Sequence, residues 1–498
     1  MKFVVANRRA GKFRETEKQA SRNAVKSLLN TMSVGRQSTV LKDREPVDQE
    51  SRRTVVMEGN ETDYQTAKRD APDDVIVEPL IEHHHGNVMF RNFRAVDVVS
   101  PTSSFPTGTG NQVKFTVRGR GERLANATVM LFVRELTGRV RRLDQVTDSS
   151  GEVTYDLSAF FQPIFVIVSP YSGFWSLQSL FTGDATFDCP PLPSNQRIDW
   201  WHKETGFRSF DKTAGSGVRV GVIDTGFGPH PDLSGTDEGA FIDNSFDPNA
   251  GADVDIHGSH VCGTIAGNPG HALRISGVAP GVSLFSVRVF PAGAGATNVD
   301  IANAIDFLSR DRQCDLINMS LGAPVGSDLI RDAIQDAEER GTLCLCAAAN
   351  SSGPVEFPAA FPEAAAISAL GKIGAAPLGS VSADTLPEDP KLFGRDQLYF
   401  ANFSCFGPEI EAIAPGVGIV ATVPERHGLN TPYAALDGTS MATPIATGTL
   451  ARALADDTSY TSLPRDLTRA QTARSALAQI CRTIGLPSVN QGNGLPKH

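Results

Sequence analysis

The sequence predicts an α/β protein whose main domain is a doubly wound parallel sheet, preceded by a small α+β block and a small β-sandwich. Three observations carry this expectation. From residue 217 onward, short apolar runs alternate with amphipathic stretches, which is the pattern of βα units stacked into a parallel sheet. Residues 112–170 instead show period-two runs broken by Gly, Ser and Asp turns, the pattern of antiparallel strands. Residues 2–81 carry two helix-like and four strand-like segments.

Taken in order, KFVVANR (2–8) reads as a strand. Residues 15–30 read as a helix with Ala20, Ala24, Val25, Leu28 and Leu29 on one side. STVLK (38–42) and RTVVME (53–58) are strands, 61–70 a second helix, and VIVEPLI (75–81) a last strand. The order β-α-β-β-α-β is the split, ferredoxin-like arrangement, and this block, 1–85, runs into EHHHGN (82–87). In 86–182 the strands QVKFTVRG (112–119), ATVMLFVRE (127–135) and PIFVIVSP (163–170), with the turn TDSSGE (147–152), suggest a β-sandwich. In outline it resembles carboxypeptidase-regulatory-like or immunoglobulin-like modules. Residues 183–215, with CPPLPSNQ and the pair Trp200–Trp201, read as a linker that docks on the next domain. In 216–498 the strands SGVRVGVIDTG, LFSVRVF, CDLINMSLG and TLCLCAAAN are joined by the helices NVDIANAIDFLSRD (298–311) and SDLIRDAIQDAEERG (327–341).

Composition narrows the function classes. The chain has 498 residues, 40% hydrophobic and 20% charged, as ordinary globular proteins do. A formal charge of -10 without a basic stripe gives no footprint for nucleic acid. No run approaches the ~20 apolar residues of a membrane-spanning helix, so no membrane partner is expected. The opening MKFVVANRRAGKFRETEKQ has too short an apolar run for a secretory signal. The seven cysteines are scattered and odd in number, so the expectation is reduced thiols and a cytoplasmic location.

The polar residues then fall where a parallel sheet places its chemistry, at the carboxyl ends of strands. Asp224 ends VGVIDTG, His257 opens an apolar segment in DIHGSHVCGT, Asn350 ends LCLCAAAN, and Ser440 in LDGTSMATP opens the helical run SMATPIATGTLARALA. A serine at a glycine-bearing turn before a helix is mounted beside unpaired backbone N–H groups. A plain N-cap would look the same. With partners, Asp, His and Ser form an acyl-transfer triad: the imidazole takes the hydroxyl proton, and the carboxylate fixes the imidazole. The order Asp, His, Ser excludes the α/β-hydrolase order, which begins with Ser. His257, His260 and Cys262 also have an H-x-x-H-x-C look of zinc ligation. No glutamate follows the first histidine and no fourth ligand is evident, so no metal is expected there. Cys262 and His260 read as packed core residues.

VIDTG, HGSHVCGTIAG and GTSMATPIATG together resemble the motifs of the subtilisin-like serine peptidases, the subtilases. INMSLG, AAAN, FPAAFPE (357–363), ANFSCFG (401–407) and IAPGVGI (413–419) add to the resemblance, which covers roughly 195–495. It implies a serine endopeptidase acting on protein or peptide substrates. Ser440 would be the nucleophile, His257 the general base and Asp224 its orienter. The Asn350 amide and the Ser440 backbone N–H would hold the oxyanion, with Ala349 where glycine is usual. Ser320, Leu321 and Gly322 would pair by backbone with an extended substrate. Glu356, in the short segment SSGPVE, would stand at the floor of the primary specificity pocket and favour a basic residue just before the cut. A glutamate turned to solvent is the alternative.

The front block resembles the inhibitory propeptide of that family. The resemblance implies a tail laid in the active site as a product-like strand, then cut off by the enzyme itself between about 82 and 88. The three histidines there read first as a solvated linker; metal binding, pH sensing and filling of the specificity pocket stay open. Asp232, after PHP, matches a residue that often binds calcium in the family. The later loop AGNPGHALRISG brings no clear second carboxylate, so a lost or weak calcium site and no other cofactor are expected. The sandwich is expected to bind or space. A dedicated processing protease and a non-catalytic scaffold are the rival readings; the complete set of polar residues argues against the scaffold.

Overall fold

In the computed structural model of the chain the described residues are 1–9, 25–30, 38–46, 51–85, 111–158, 160–193, 196–270, 274–426, 429 and 432–498. Of the helix expected over 15–30, residues 25–30 are helical and 15–24 lie outside the described residues.

The large domain is built on one nine-stranded sheet, mostly parallel. Arg219–Asp224 lies at its centre between Ser283–Arg288 and Leu316–Met319, followed outward by Leu343–Ala347 and Ala365–Lys372. Parallel strands covered on both faces are mainly apolar on both sides, and these are, apart from buried residues such as Ser286 and Asn318. Val220, Val222, Leu316, Leu343 and Leu345 pack on one side with Val261, Ile265, Met441 and Ile445, from the helices His257–Ala266 and Thr439–Asp456. Ile223, Ile317, Met319 and Cys346 pack on the other with Ile301, Ile305, Ile330 and Ile334, from the helices Asn298–Arg310 and Asp328–Glu339. Gly221 permits the second layer: a Cβ there would stand 2.8 Å from Leu308 Cδ1.

The front block is a four-stranded antiparallel sheet in the spatial order Thr39–Arg44, Thr54–Glu58, Lys2–Asn7, Val75–Pro79. Residues alternate between its faces, as strands require. Phe3, Val5, Val55 and Val77 face Val25, Leu28, Tyr64 and Ala67 of its own helical segments. Val4, Ala6, Val56 and Ile76 instead join the core around the two outer helices of the large domain. Burying Val4, Val56 and Ile76 there contributes on the order of 5 kcal/mol. Polar contacts fix the placement. The Arg52 guanidinium, 1% exposed, reaches Asp306 at 3.1 Å and Asp336 at 2.7 Å. Its Nη1 also donates to the carbonyls of Asn7 and Arg8. Glu78 accepts from Asn298 Nδ2 (2.7 Å), Ser327 Oγ (2.5 Å) and the Asp328 N–H (2.9 Å), so a carboxylate of the front block sits on a helix N-terminus of the large domain.

Between these units lie two four-stranded sheets that share a core of Phe115, Val117, Leu131, Val133, Tyr155 and Val166. The strand Ala185–Asp188 pairs in parallel with Phe115–Arg118. The boundary expected at 182 therefore moves to about 188, because the last strand belongs to this unit and not to the linker. The unit is fused to the large domain: Trp175 is part of the large core, and Gly173 donates its N–H to Tyr433 O at 2.8 Å. Met130, Phe132, Ile164 and Ile167 close over Val381. The remaining linker docks as expected of its tryptophans, with Trp201 fully buried in the large core.

Candidate active site

Asp224 is the last residue of the central strand, His257 the first of one helix and Ser440 the second of another. Ser320 and Asn350 follow the strands Leu316–Met319 and Leu343–Ala347. All five are buried, at 2% exposure or less. His257 Nδ1 lies 2.7 Å from Asp224 Oδ1, which also accepts the Thr225 N–H at 2.7 Å. Burial alone disfavours the His257 imidazolium, but the charge and hydrogen bond of Asp224 outweigh it and raise the pKa above its ordinary value. Asp255 holds the entry to the helix by accepting the N–H of Ile256 (2.8 Å) and of His257 (3.2 Å).

Ser440 Oγ donates to Ser320 O at 3.2 Å, while His257 Nε2 has no hydrogen-bond partner among the described residues. The hydroxyl is thus held on the Ser320 carbonyl and not on the imidazole. Pro444 explains why that strand and this helix are tied. Proline has no N–H to give the carbonyl four residues earlier, so Ser440 O is left over, and Ser320 Oγ donates to it at 2.9 Å.

Asn350 Oδ1 accepts from both the N–H and the Oγ of Thr439, each at 2.9 Å. That fixes the amide and turns its NH₂ group the other way. Ala349 holds φ at +84°, a left-handed conformation that costs an L-residue on the order of 1 kcal/mol. It stands where the resemblance implies glycine.

Residues Glu82–His85 form the middle strand of a three-stranded antiparallel sheet. His84 and His85 lie opposite Gly322 and Leu321, and Glu82 and His83 opposite Thr297 and Ala296. The solvated linker expected at these histidines is not what the structure holds: His83 is fully buried, and the His85 ring lies 4.8 Å from the His257 ring. A cleft edge with unpaired backbone groups takes a four-residue strand regardless of its polar side chains. Burial lowers the pKa of both His83 and His85 to about 4, with His257 also pressing on His85 and Asp255 and Asp224 opposing.

Glu356 is half-buried, and its carboxylate accepts from Ser351 Oγ at 2.7 Å. A Cβ built on Gly322 would lie 3.7 Å from its Oε2, so the carboxylate stands behind the substrate-strand position. His260 Nε2 faces two carbonyls, Ile419 O at 2.9 Å and Ala434 O at 3.2 Å. Carbonyls only accept, so this nitrogen carries a proton and ligates nothing. Burial pushes the Cys262 thiol up. Asp232 is held by Arg274 Nη1 and Tyr433 Oη, both at 3.0 Å; a cation entering there would displace a guanidinium. The sequence motifs did not point to Asp255 or Thr439, nor to Phe290, whose ring meets that of His85 edge-on at 5.3 Å; Asp255, two residues before a helix start, was the readable signal.

A family model described as the subtilase family matches residues 215–494. The chain is 32% identical over 284 residues to a thermostable alkaline protease of Halalkalibacterium halodurans, covering 56% of this chain and 66% of that protein. It is 32% identical over 238 residues to subtilisin Savinase of Lederbergia lenta, covering 48% and 76%. It is 32% identical over 254 residues to subtilisin E of Bacillus subtilis, covering 50% and 58%. The matched family region leaves residues 1–214 outside it. The chain belongs to the subtilase family, and its residues 215–494 are a subtilisin-like serine endopeptidase domain.

Proposed function

We propose that the protein is a serine endopeptidase made as a self-inhibited precursor that cuts itself just beyond His85. The observation that carries this is the strand Glu82–His85, seated between Thr297 and Leu321 with its leading ring against His257. In the reaction, Ser440 Oγ attacks the substrate carbonyl while His257 Nε2 takes its proton. The oxyanion accepts from Asn350 Nδ2 and the Ser440 N–H. Collapse expels the amine, which receives that proton, and water then hydrolyses the acyl-enzyme by the same route. Residues 1–85 act as the propeptide inhibitor. Seven free, buried cysteines suit a reducing, cytoplasmic setting. A calcium site at Asp232 is lost or weak, since that carboxylate is already engaged by Arg274. The test is intact mass of the purified protein beside its Ser440→Ala twin. The wild type should split between residues 85 and 88 and the twin stay whole; a twin that also splits overturns the proposal.

In peptide substrates Glu356 sets a preference for Arg or Lys before the cut, with Ser351 orienting the carboxylate. A charge-assisted pair of this kind is worth about 1.5–3 kcal/mol, hence about 10–100-fold. Peptides differing only at that residue should show Arg well ahead of Leu, and the gap should close in Glu356→Gln. Equal cleavage of Phe, Leu and Arg peptides would remove this assignment.

The tail also makes retention of the cut block pH-dependent. His83 and His85 dock neutral, with pKa lowered to about 4 from an ordinary 6.5. Their contribution is complete above pH 6.5 and declines as pH falls from 6.5 towards 4. Retention is expected to weaken at least about tenfold between pH 7 and pH 5, read by gel filtration of the cut complex. His83→Asn with His85→Asn should flatten the profile.

A further inference from the structure

The strand Leu177–Leu180 is an edge of one sandwich sheet, and its free side is taken by residues 379–381 of the large domain. Gln178 donates its N–H to Gly379 O at 3.1 Å, and Val381 donates its N–H to Ser176 O at 3.0 Å. Leu177 and Ser380 stand opposite each other in antiparallel sense. Gln178 Nε2 adds a bond to Asp384 Oδ2 at 2.6 Å, and Met130, Phe132, Ile164 and Ile167 grip Val381. The next residue, Ser382, is buried, and its Oγ donates to Asp437 Oδ2 at 2.9 Å. Asp437 is 2% exposed, and its other oxygen accepts the Gly418 N–H at 2.6 Å. Gly418, with φ at +63°, lies flat on Trp175: a Cβ built there would stand 3.0 Å from the indole. Among the described residues, both donors to this carboxylate are therefore backed by the β-sandwich. A buried carboxylate keeps its place only where such donors are fixed.

Asp437 also opens a series of ties that ends at the nucleophile. Leu436, just before it, pairs with Ile419. Gly438 donates its N–H to Gly416 O at 2.8 Å. Thr439 donates to Asn350 Oδ1, and Ser440 O accepts from Ser320 Oγ. With every link held, a shift of Asp437 passes to the Thr439–Asn350 pair and to Ser440. We propose that Asp437 is a positioning residue for Ser440, and that the β-sandwich, through Ser382 and Trp175, holds that carboxylate in place. The sandwich then serves the enzyme's own nucleophile turn. This rests on the endopeptidase reading above. The edges Leu321–Gly322 and Ala296–Thr297, on which the strand Glu82–His85 lies, belong to other elements, so the path acts on kcat and spares KM.

The experiment reads kcat and KM on an anilide peptide, per titrated active site, with the thermal midpoint of each variant alongside. A misplacement of about 1 Å costs about 10²-fold in rate. Asp437→Ala should lower kcat by about that much and Ser382→Ala about tenfold, each at unchanged KM. Asp437→Asn should recover most of the rate, since its amide oxygen accepts from Gly418 and its NH₂ group donates to Ser382. Val381→Ala loosens the sandwich's grip without touching the carboxylate, and should lower kcat by less. Val381→Ala combined with Ser382→Ala should fall no further than Ser382→Ala alone, because both interrupt one path. Should Asp437→Ala fail to fold, the Ser382 and Val381 variants still decide. Losses that multiply would sever the sandwich from the nucleophile turn and overturn the proposal. A lower midpoint or fewer titratable sites, with kcat per site intact, would make the contact merely structural and overturn it too. A wild type with no titratable site overturns the endopeptidase reading, and the proposal with it.

Discussion

Replacing Ser440 by alanine is expected to lower peptide hydrolysis by about 10⁶ in kcat while leaving KM and the fold almost untouched. The geometry separates these effects. Among the described residues Ser440 Oγ makes one hydrogen bond, to Ser320 O, and the side chain sits on a buried helix where alanine is the better helix former. The strand Glu82–His85 pairs elsewhere, along Leu321–Gly322 and Ala296–Thr297, and a substrate strand laid there is expected to keep its hold. What disappears is the nucleophile alone, and with it the use of the base that Asp224 orients at 2.7 Å. A residual rate above that of water, ~10³–10⁴-fold, should survive through oxyanion binding by Asn350. Steady-state kinetics on an anilide peptide, with active-site titration to exclude wild-type contamination, checks this. A variant retaining a tenth of the activity would mean that another group attacks.

The second large effect concerns the front block. Arg52→Ala is expected to weaken its hold after cutting by about 10²–10³, since removing one partner of a buried ion pair costs about 3–5 kcal/mol. Arg52 answers two carboxylates at once, Asp306 and Asp336, both cut off from water. Arg340 at 3.3 Å compensates Asp306 in part, whereas Arg9 reaches Asp336 from the same departing block. Arg52→Lys should recover only some of the loss, because a point charge cannot fork between two acids. The dissociation constant of the cut complex, measured with circular dichroism of both partners, distinguishes a lost contact from a misfolded block. Unchanged affinity would show that the apolar sheet face alone holds the two together.

Why the large domain was readable and the tail was not follows from where each finds its partners. VGVIDTG is apolar up to Asp224 and CDLINMSLG is mainly apolar, with Asn318 alone polar inside its strand, because both faces of a parallel strand are covered; Asp224 and Ser320 mark the strand ends. That pattern is local. EHHH has none: its strand exists because Ala296–Thr297 and Leu321–Gly322, more than two hundred residues away, offer open edges. The strand Ala185–Asp188 has only Phe187 as a large apolar residue and pairs in parallel seventy residues back, so a boundary drawn from composition cut it off. Arg52 and Arg53 are neighbours of one type, yet only Arg52 is buried against two acids, and the other sits on Asp43. Side-chain charge says nothing about that choice; it is set by which side of the chain, just before the strand Thr54–Glu58, the large domain covers.

The front sheet is apolar on both of its faces, one closed by its own helices and the other by the large domain. Once parted from the enzyme it exposes Val4, Val56 and Ile76 to water, together with a guanidinium that has lost both of its acids. Such a fragment is aggregation-prone and readily degraded, and the enzyme beside it is a protease. If the front block is the proposed inhibitor, its departure would be a one-way event: the surface that holds it while docked would mark it for destruction once free, and activity switched on in this way would have no built-in return.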